Sequence, residues 1–176
     1  MSTLLETRAS LQEAMTFLGA LASGIEQAIG ESANSISCLA GKRLGMAFSQ
    51  DAPKTDDVEL ALATVRDILQ RNNCLWQFEP FKPHDRPALR EATGEGDTVL
   101  LVFRDCMIRQ SLFMFGHHQK GSLCNMMYGF FSGALLNIMR RDSTLEILHA
   151  GENGCYKKLT VKRASSIDAA GKELTR

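Results

Sequence analysis

The chain has 176 residues, 44% of them apolar and 23% charged, with 20 basic side chains balanced by 20 acidic ones. That composition is ordinary for a globular protein and is long enough to bury a core without disulfides. A formal net charge of zero provides no field for holding nucleic acid or an anionic membrane surface.

Five cysteines, Cys38, Cys74, Cys106, Cys124 and Cys155, form an odd set without stapled-loop spacing, which points to a reducing, cytoplasmic compartment. The N-terminal stretch carries Glu6, Arg8, Glu13 and Glu26, which break any signal-peptide core. The longest apolar run, Leu123 to Met139, is interrupted by Asn125, Ser132 and Asn137 and reads as a buried helix, not a membrane span.

The first helix is expected from Thr3 to Ile29. Leu4, Leu11, Leu18 and Ile25 recur every seven residues, and Ala14, Leu21 and Ala28 fill the companion position, a heptad seam. Such a seam suits either a dimer-forming helix or one packed on its own domain. Gly30 is placed to stop it.

A second helix follows over Ala33 to Phe48, where Gly41 and Gly45 leave one face bare for a close neighbour. The third starts near Asp56, with Glu59 at the capping-box position, and shows an apolar face from Val58 to Leu69. Cys74 to Phe81 alternates as a strand, with Cys74, Trp76 and Phe78 on one side. Lys82 to Asp97 reads as a long polar loop, or a loop around a short turn of helix near Ala88 to Glu91, and Thr98 to Phe103 as a central strand buried on both faces. Cys106 to Phe115 reads as a short helix and Ser122 to Met139 as the most apolar one. Leu145 to His149 and Cys155 to Lys162 make a final hairpin, and 164–176 a flexible tail. The whole is expected to be α+β: one domain over 1–163, an antiparallel sheet of about four strands against helices, and a long N-terminal helix.

No phosphate loop, dinucleotide fingerprint, nucleophile elbow or paired C-x-x-C is present, so no catalytic residue is assigned and an enzyme is not favoured. Two features could still carry chemistry. In the hairpin, His149 and Cys155 flank a five-residue loop, which places them opposite each other on the inward face with Leu145, Ile147, Leu159 and Val161. With Cys124 and one of His117 or His118 they could bind zinc; equally, the cysteines are small apolar core residues and His149 a hydrogen-bonded core histidine. Lys157 shares the inward alternation and breaks its apolar pattern, unless a bulge intervenes. The second feature is a concentration of methionine and phenylalanine from Cys106 to Met139. It is either an ordinary core or the wall of a site for a small apolar molecule, with Trp76, Phe103, Met114, Met127, Phe130 and Phe131 as contacts.

Gly121-Ser122-Leu123-Cys124, Tyr128-Gly129-Phe130-Phe131-Ser132-Gly133-Ala134-Leu135, Glu146-Ile147-Leu148-His149 and Gly154-Cys155-Tyr156 together resemble the 4-vinyl reductase-type domain, similar in fold to small subunits of the TRAPP trafficking complexes. The likeness covers about Leu100 to Arg163. It implies an α+β fold, homodimers, binding of small apolar molecules or protein partners, and in some members zinc on the cysteines. His149 stands where the family pattern has a cysteine, which would make any zinc ligand set mixed.

The expected function is non-enzymatic binding of a small hydrophobic ligand by a dimeric sensor or adaptor domain, the alternative being an accessory or assembly protein with a protein partner and a structural zinc. The ligand reading needs the glycine-bearing helix and the hairpin to enclose an interior hollow, with a thiol and an imidazole at its edge.

Overall fold

In the computed structural model, the described residues are 4–74, 76–104, 106, 120–151 and 154–163, with side chains described from Glu13 onward except that of Met15. Four helices and five strands follow in the order α1 (Leu4–Ile29), α2 (Ser32–Phe48), α3 (Val58–Arg71), β1 (Gln77–Phe81), β2 (Arg90–Ala92), β3 (Gly96–Arg104), α4 (Ser122–Met139), β4 (Ser143–Ala150) and β5 (Cys155–Lys162). The fold is α+β with an antiparallel sheet, as its sequence pattern indicates. The expected helix over Cys106 to Phe115 and the tail lie outside the described residues, apart from Cys106 itself.

Sheet order is β1-β3-β5-β4, with β2 also on β3. The apolar run of β3 is central because it is paired on both edges, with β1 and β2 on one side and β5 on the other. The long polar loop of the sequence reading needs correction here. Arg90–Ala92 pairs with 97–99, although all three residues are exposed and show no apolar alternation. The aromatic strand also starts later than expected, at Gln77, so that Cys74 and Trp76 precede it.

Helix α3 is capped by Asp57 and not by Asp56: the Asp57 carboxylate accepts from Glu59 N at 2.8 Å and Leu60 N at 3.0 Å. Its stripe Val58, Ala61, Leu62, Val65, Ile68 and Leu69 is buried in the core. Helix α1 ends at Gly30, whose φ of +59° is the left-handed conformation of a helix stop.

Helix α4 is apolar all round because it is covered on two sides. Its Phe131 meets Phe78 and Phe103 of the sheet, while Gly129 and Gly133 face α2. A Cβ built on Gly129 would run into the Cys38 carbonyl, and one on Gly133 into that of Lys42. Conversely, Gly41 and Gly45 of α2 press on the Met126 and Phe130 carbonyls. Four glycines, two per helix, thus bring backbone against backbone. Beyond the crossing, Asn137 Nδ2 donates to Ser49 O at 2.6 Å, which ties the end of α2 to α4. At the other end, Glu26 of α1 accepts from Ser122 N at 2.8 Å, placing a carboxylate on the α4 N-terminus. No helix among the described residues is long and apolar enough to cross a membrane.

Candidate functional site

The α4–sheet interface is built from rings. Phe130 meets Trp76 edge-on at 5.5 Å and Phe48 at 6.1 Å. Phe131 meets Phe130 at 6.3 Å, Phe103 at 5.6 Å and Phe78 at 5.1 Å. Such edge-to-face contacts add about 0.5–1.5 kcal/mol each beyond burial. Phe103, Phe130, Phe131 and Met127 are each at most 1% exposed, so these expected ligand contacts are core side chains packed on one another. Met114 lies outside the described residues.

Trp76 differs from that group. It sits just before β1, with one side against Phe130 and the other lining a groove of about 420 Å³ between the end of α3 and β1. Arg66, Leu69, Cys74 and Phe78 line the groove as well. The α3 chain end turns through Asn73, which adopts φ +53°, and this brings Cys74 round to the groove wall. Burial pushes the Cys74 thiol up from its ordinary range, so it presents an uncharged surface. The Trp76 indole Nε1 is buried and has no hydrogen-bond partner among the described residues. An unmade indole hydrogen bond costs about 1–3 kcal/mol, which an acceptor placed there would recover.

The hairpin differs from its sequence reading. A register shift between Ile147 and His149 pairs His149 with Tyr156 and Ala150 with Cys155. Leu148 is the extra residue of the bulge and is 46% exposed. His149 therefore turns to the exposed side and does not oppose Cys155. The bulge lies on β4 alone, so β5 keeps its alternation and Lys157 points inward beside Leu159 and Val161. His117 and His118 lie outside the described residues, and among the described residues no three His, Cys, Asp or Glu side chains group to hold a metal. Cys124 and Cys155 instead share their surroundings with the Lys157 ammonium, a cation where a zinc site would need only donors. Of the expected zinc ligands, His149 is thus set apart from Cys155 among the described residues.

Lys157 is what the pattern reading missed as a functional group. It is 2% exposed. Its Nζ lies 3.2 Å from Met127 Sδ, 4.5 Å from the Phe103 ring centre and 4.9 Å from that of Tyr128. Burial pulls its pKa below the ordinary lysine range, and the nearby Cys124, Cys106 and Cys155 thiols partly oppose that shift. Tyr128 has a buried hydroxyl with no partner among the described residues, and burial followed by the same Cys124 and Cys155 raises its pKa. The signal was present in the sequence: Lys157 is in phase with the inward residues of its strand.

No family model and no curated protein matches this sequence. Among solved structures, the chain is similar to the phenol-responsive sensory domain of the transcription activator PoxR, determined with phenol. The TM-score is 0.63 at 16% identity, over 88% of this chain and 78% of that one. The likeness is one of fold.

Proposed function

We propose that this chain is a non-enzymatic, sensor-type domain that binds a small apolar, aromatic molecule at Trp76. One observation carries the reading: the Trp76 indole, backed by Phe130, lines a groove, and its buried N–H has no acceptor among the described residues. The groove sets the apolar Leu69, Cys74, Trp76 and Phe78 beside the polar Arg66, Gln70, Asn73 and Gln77, a lining that suits a flat aromatic ligand bearing a polar substituent. The shared fold with a domain described as phenol-responsive supports this class of ligand, as does the resemblance of the late segment to 4-vinyl reductase-type domains. Phe130 and Phe131 contribute by holding the Trp76 ring in place from the core side. Five free cysteines agree with a reducing, cytoplasmic setting.

The chain has one tryptophan, so its emission reports this site alone. Phenol titrated into the full chain is expected to change that emission saturably and to bind more tightly than toluene, which lacks the acceptor oxygen. Trp76→Phe keeps the apolar bulk and is expected to erase the preference for phenol in thermal-shift titrations. If neither aromatic alters emission or melting temperature, the reading is wrong.

The same proposal includes a homodimer. On α1, Phe17 is 70% exposed, Leu18 48%, Leu21 51% and Ile25 39%. On the adjoining α2, Ile36 and Leu39 are also more than half exposed. A stripe of this kind is a cost in water unless covered, and its seven-residue spacing is self-complementary, which favours a second copy. Light scattering should give twice the chain mass, and Leu21→Glu with Ile25→Glu should give a folded monomer. A monomeric wild-type chain would refute the dimer and leave the stripe to a different protein.

A further inference from the structure

At the opposite end of the ring row from Trp76, the inward face of β5 carries Lys157, whose Nζ donates to the Met127 thioether, and α4 brings the Tyr128 hydroxyl, which has no partner among the described residues, close to it. Contacts run from Trp76 to Phe130, Phe131 and Phe103, and Lys157 Nζ lies over the Phe103 ring. Strand pairing agrees: Lys157 sits opposite Leu101 on β3 and Ile147 on β4, deep in the sheet, whereas Trp76 precedes the edge strand.

Removing an ammonium from water costs several kcal/mol unless a counter-charge or good acceptors replace the solvent. Here the replacements are weak. A thioether sulfur is a poor acceptor, and two aromatic faces return about 2 kcal/mol each when desolvated, without supplying a counter-charge. Among the described residues, no carboxylate reaches Lys157. The neighbouring thiols are neutral in their ordinary state, and burial pushes Cys124 further toward that neutral form. Tyr128 adds a hydroxyl that is also buried and has no partner among the described residues, its ring within 4.9 Å of the same ammonium. Both groups share Cys124 and Cys155 as neighbours. An alkyl side chain at 157 would pack this core without the penalty, so the amine needs a further explanation.

We infer that Lys157 and Tyr128 form a binding site for a carboxylate, in which the ammonium supplies the counter-charge and the phenol hydroxyl a second hydrogen bond to a small, otherwise apolar acid. A charged donor beside a neutral one matches the two oxygens of one carboxylate. Phe103 and Met127 provide the apolar contacts around it. This site stands on its own donors and does not depend on binding at Trp76.

The test uses the full chain. Thermal unfolding is followed in sodium acetate and in sodium benzoate, against sodium chloride at equal ionic strength, with acetamide and benzyl alcohol as uncharged controls. At least one carboxylate is expected to raise the melting temperature saturably where its control does not. Tyr128→Phe removes only a hydroxyl without a partner among the described residues, so it should fold and bind that carboxylate about tenfold more weakly or worse. Lys157→Met should lose the response altogether. The inference is overturned if neither carboxylate exceeds chloride and its uncharged control, if Lys157→Met keeps the full shift, or if Tyr128→Phe binds as tightly as wild type. Trp76 emission with phenol, measured on the same samples, keeps the two sites apart: Lys157→Met should leave that response intact.

Discussion

Replacing Gly45 by alanine tests whether the α2–α4 crossing organises the molecule. A methyl group at that position would overlap the Phe130 carbonyl oxygen and stand 2.9 Å from Ala134 N and 3.0 Å from Phe130 C. All three atoms are backbone, so no rotamer change relieves the clash, and the helices must part by about 1 Å to restore ordinary contact. Overpacking of this kind costs about 1–3 kcal/mol, and the absence of any flexible neighbour puts Gly45 at the upper end. Alanine returns about 1 kcal/mol of helix propensity, leaving a net loss of about 2 kcal/mol. Gly24→Ala is the internal control. No atom lies within 4 Å of its added Cβ, so only the propensity gain remains and the protein should become up to about 1 kcal/mol more stable. Separating the helices for one methyl also makes room for another. Gly45→Ala combined with Gly133→Ala should therefore cost clearly less than the sum of the two singles. Urea unfolding of the four variants provides the numbers. A Gly45→Ala midpoint at or above wild type, or strict additivity in the double variant, would show that the close approach is not what holds α2 on α4.

Lys157→Met should be more stable than wild type at neutral pH, by about 1–4 kcal/mol, because an alkyl chain replaces a buried amine of similar volume. The gap should shrink as the solution is made alkaline. Burial lowers the folded-state pKa of Lys157, so between that value and the ordinary lysine pKa the unfolded chain binds more protons and wild-type stability rises with pH. Denaturant unfolding of both proteins from neutral pH to about pH 8, below the ordinary range of the thiols that neighbour Lys157, checks this, and the wild type–variant difference cancels the contribution of Lys158. A gap that stays constant or widens would mean that the amine is not held in a desolvated site. At the start of α3, Asp57→Ala should cost about 1 kcal/mol in the same assay, whereas Asp56→Ala should change little; equal losses would contradict the cap seen at Asp57.

What could be read from the chain divides along a physical line. Elements that bury a periodic face announce themselves: α4 runs from Ser122 to Met139 as its apolar composition demands, and the glycine pairs of α2 and α4 mark two bare faces that do meet. Strand β2 could not be read because Arg90, Glu91 and Ala92 are all exposed, and what holds them is backbone pairing to β3, which leaves no side-chain signature. The capping-box spacing to Glu59 singled out Asp56, but the helical register places Asp57 at the cap, where its carboxylate accepts from Glu59 N and Leu60 N. The groove at Trp76 is formed by the end of α3 and the start of β1 after a left-handed turn at Asn73, a meeting of backbones that side-chain pattern does not encode.

Lys157 is the instructive case. A charged residue in an otherwise apolar phase can mean a slipped register or a buried charge, and alternation cannot choose between them. The bulge that would have excused the lysine does exist, but it lies at Leu148 on the partner strand. It therefore turns His149 outward and leaves Lys157 inside. The misreading of the imidazole and the underweighting of the amine have a single cause: a one-residue insertion was free to fall on either strand of the hairpin, and its placement decides which polar group the core must accommodate. An amine that among the described residues meets sulfur and ring faces but no carboxylate is then a consequence of that placement, and its cost is what the carboxylate experiment measures.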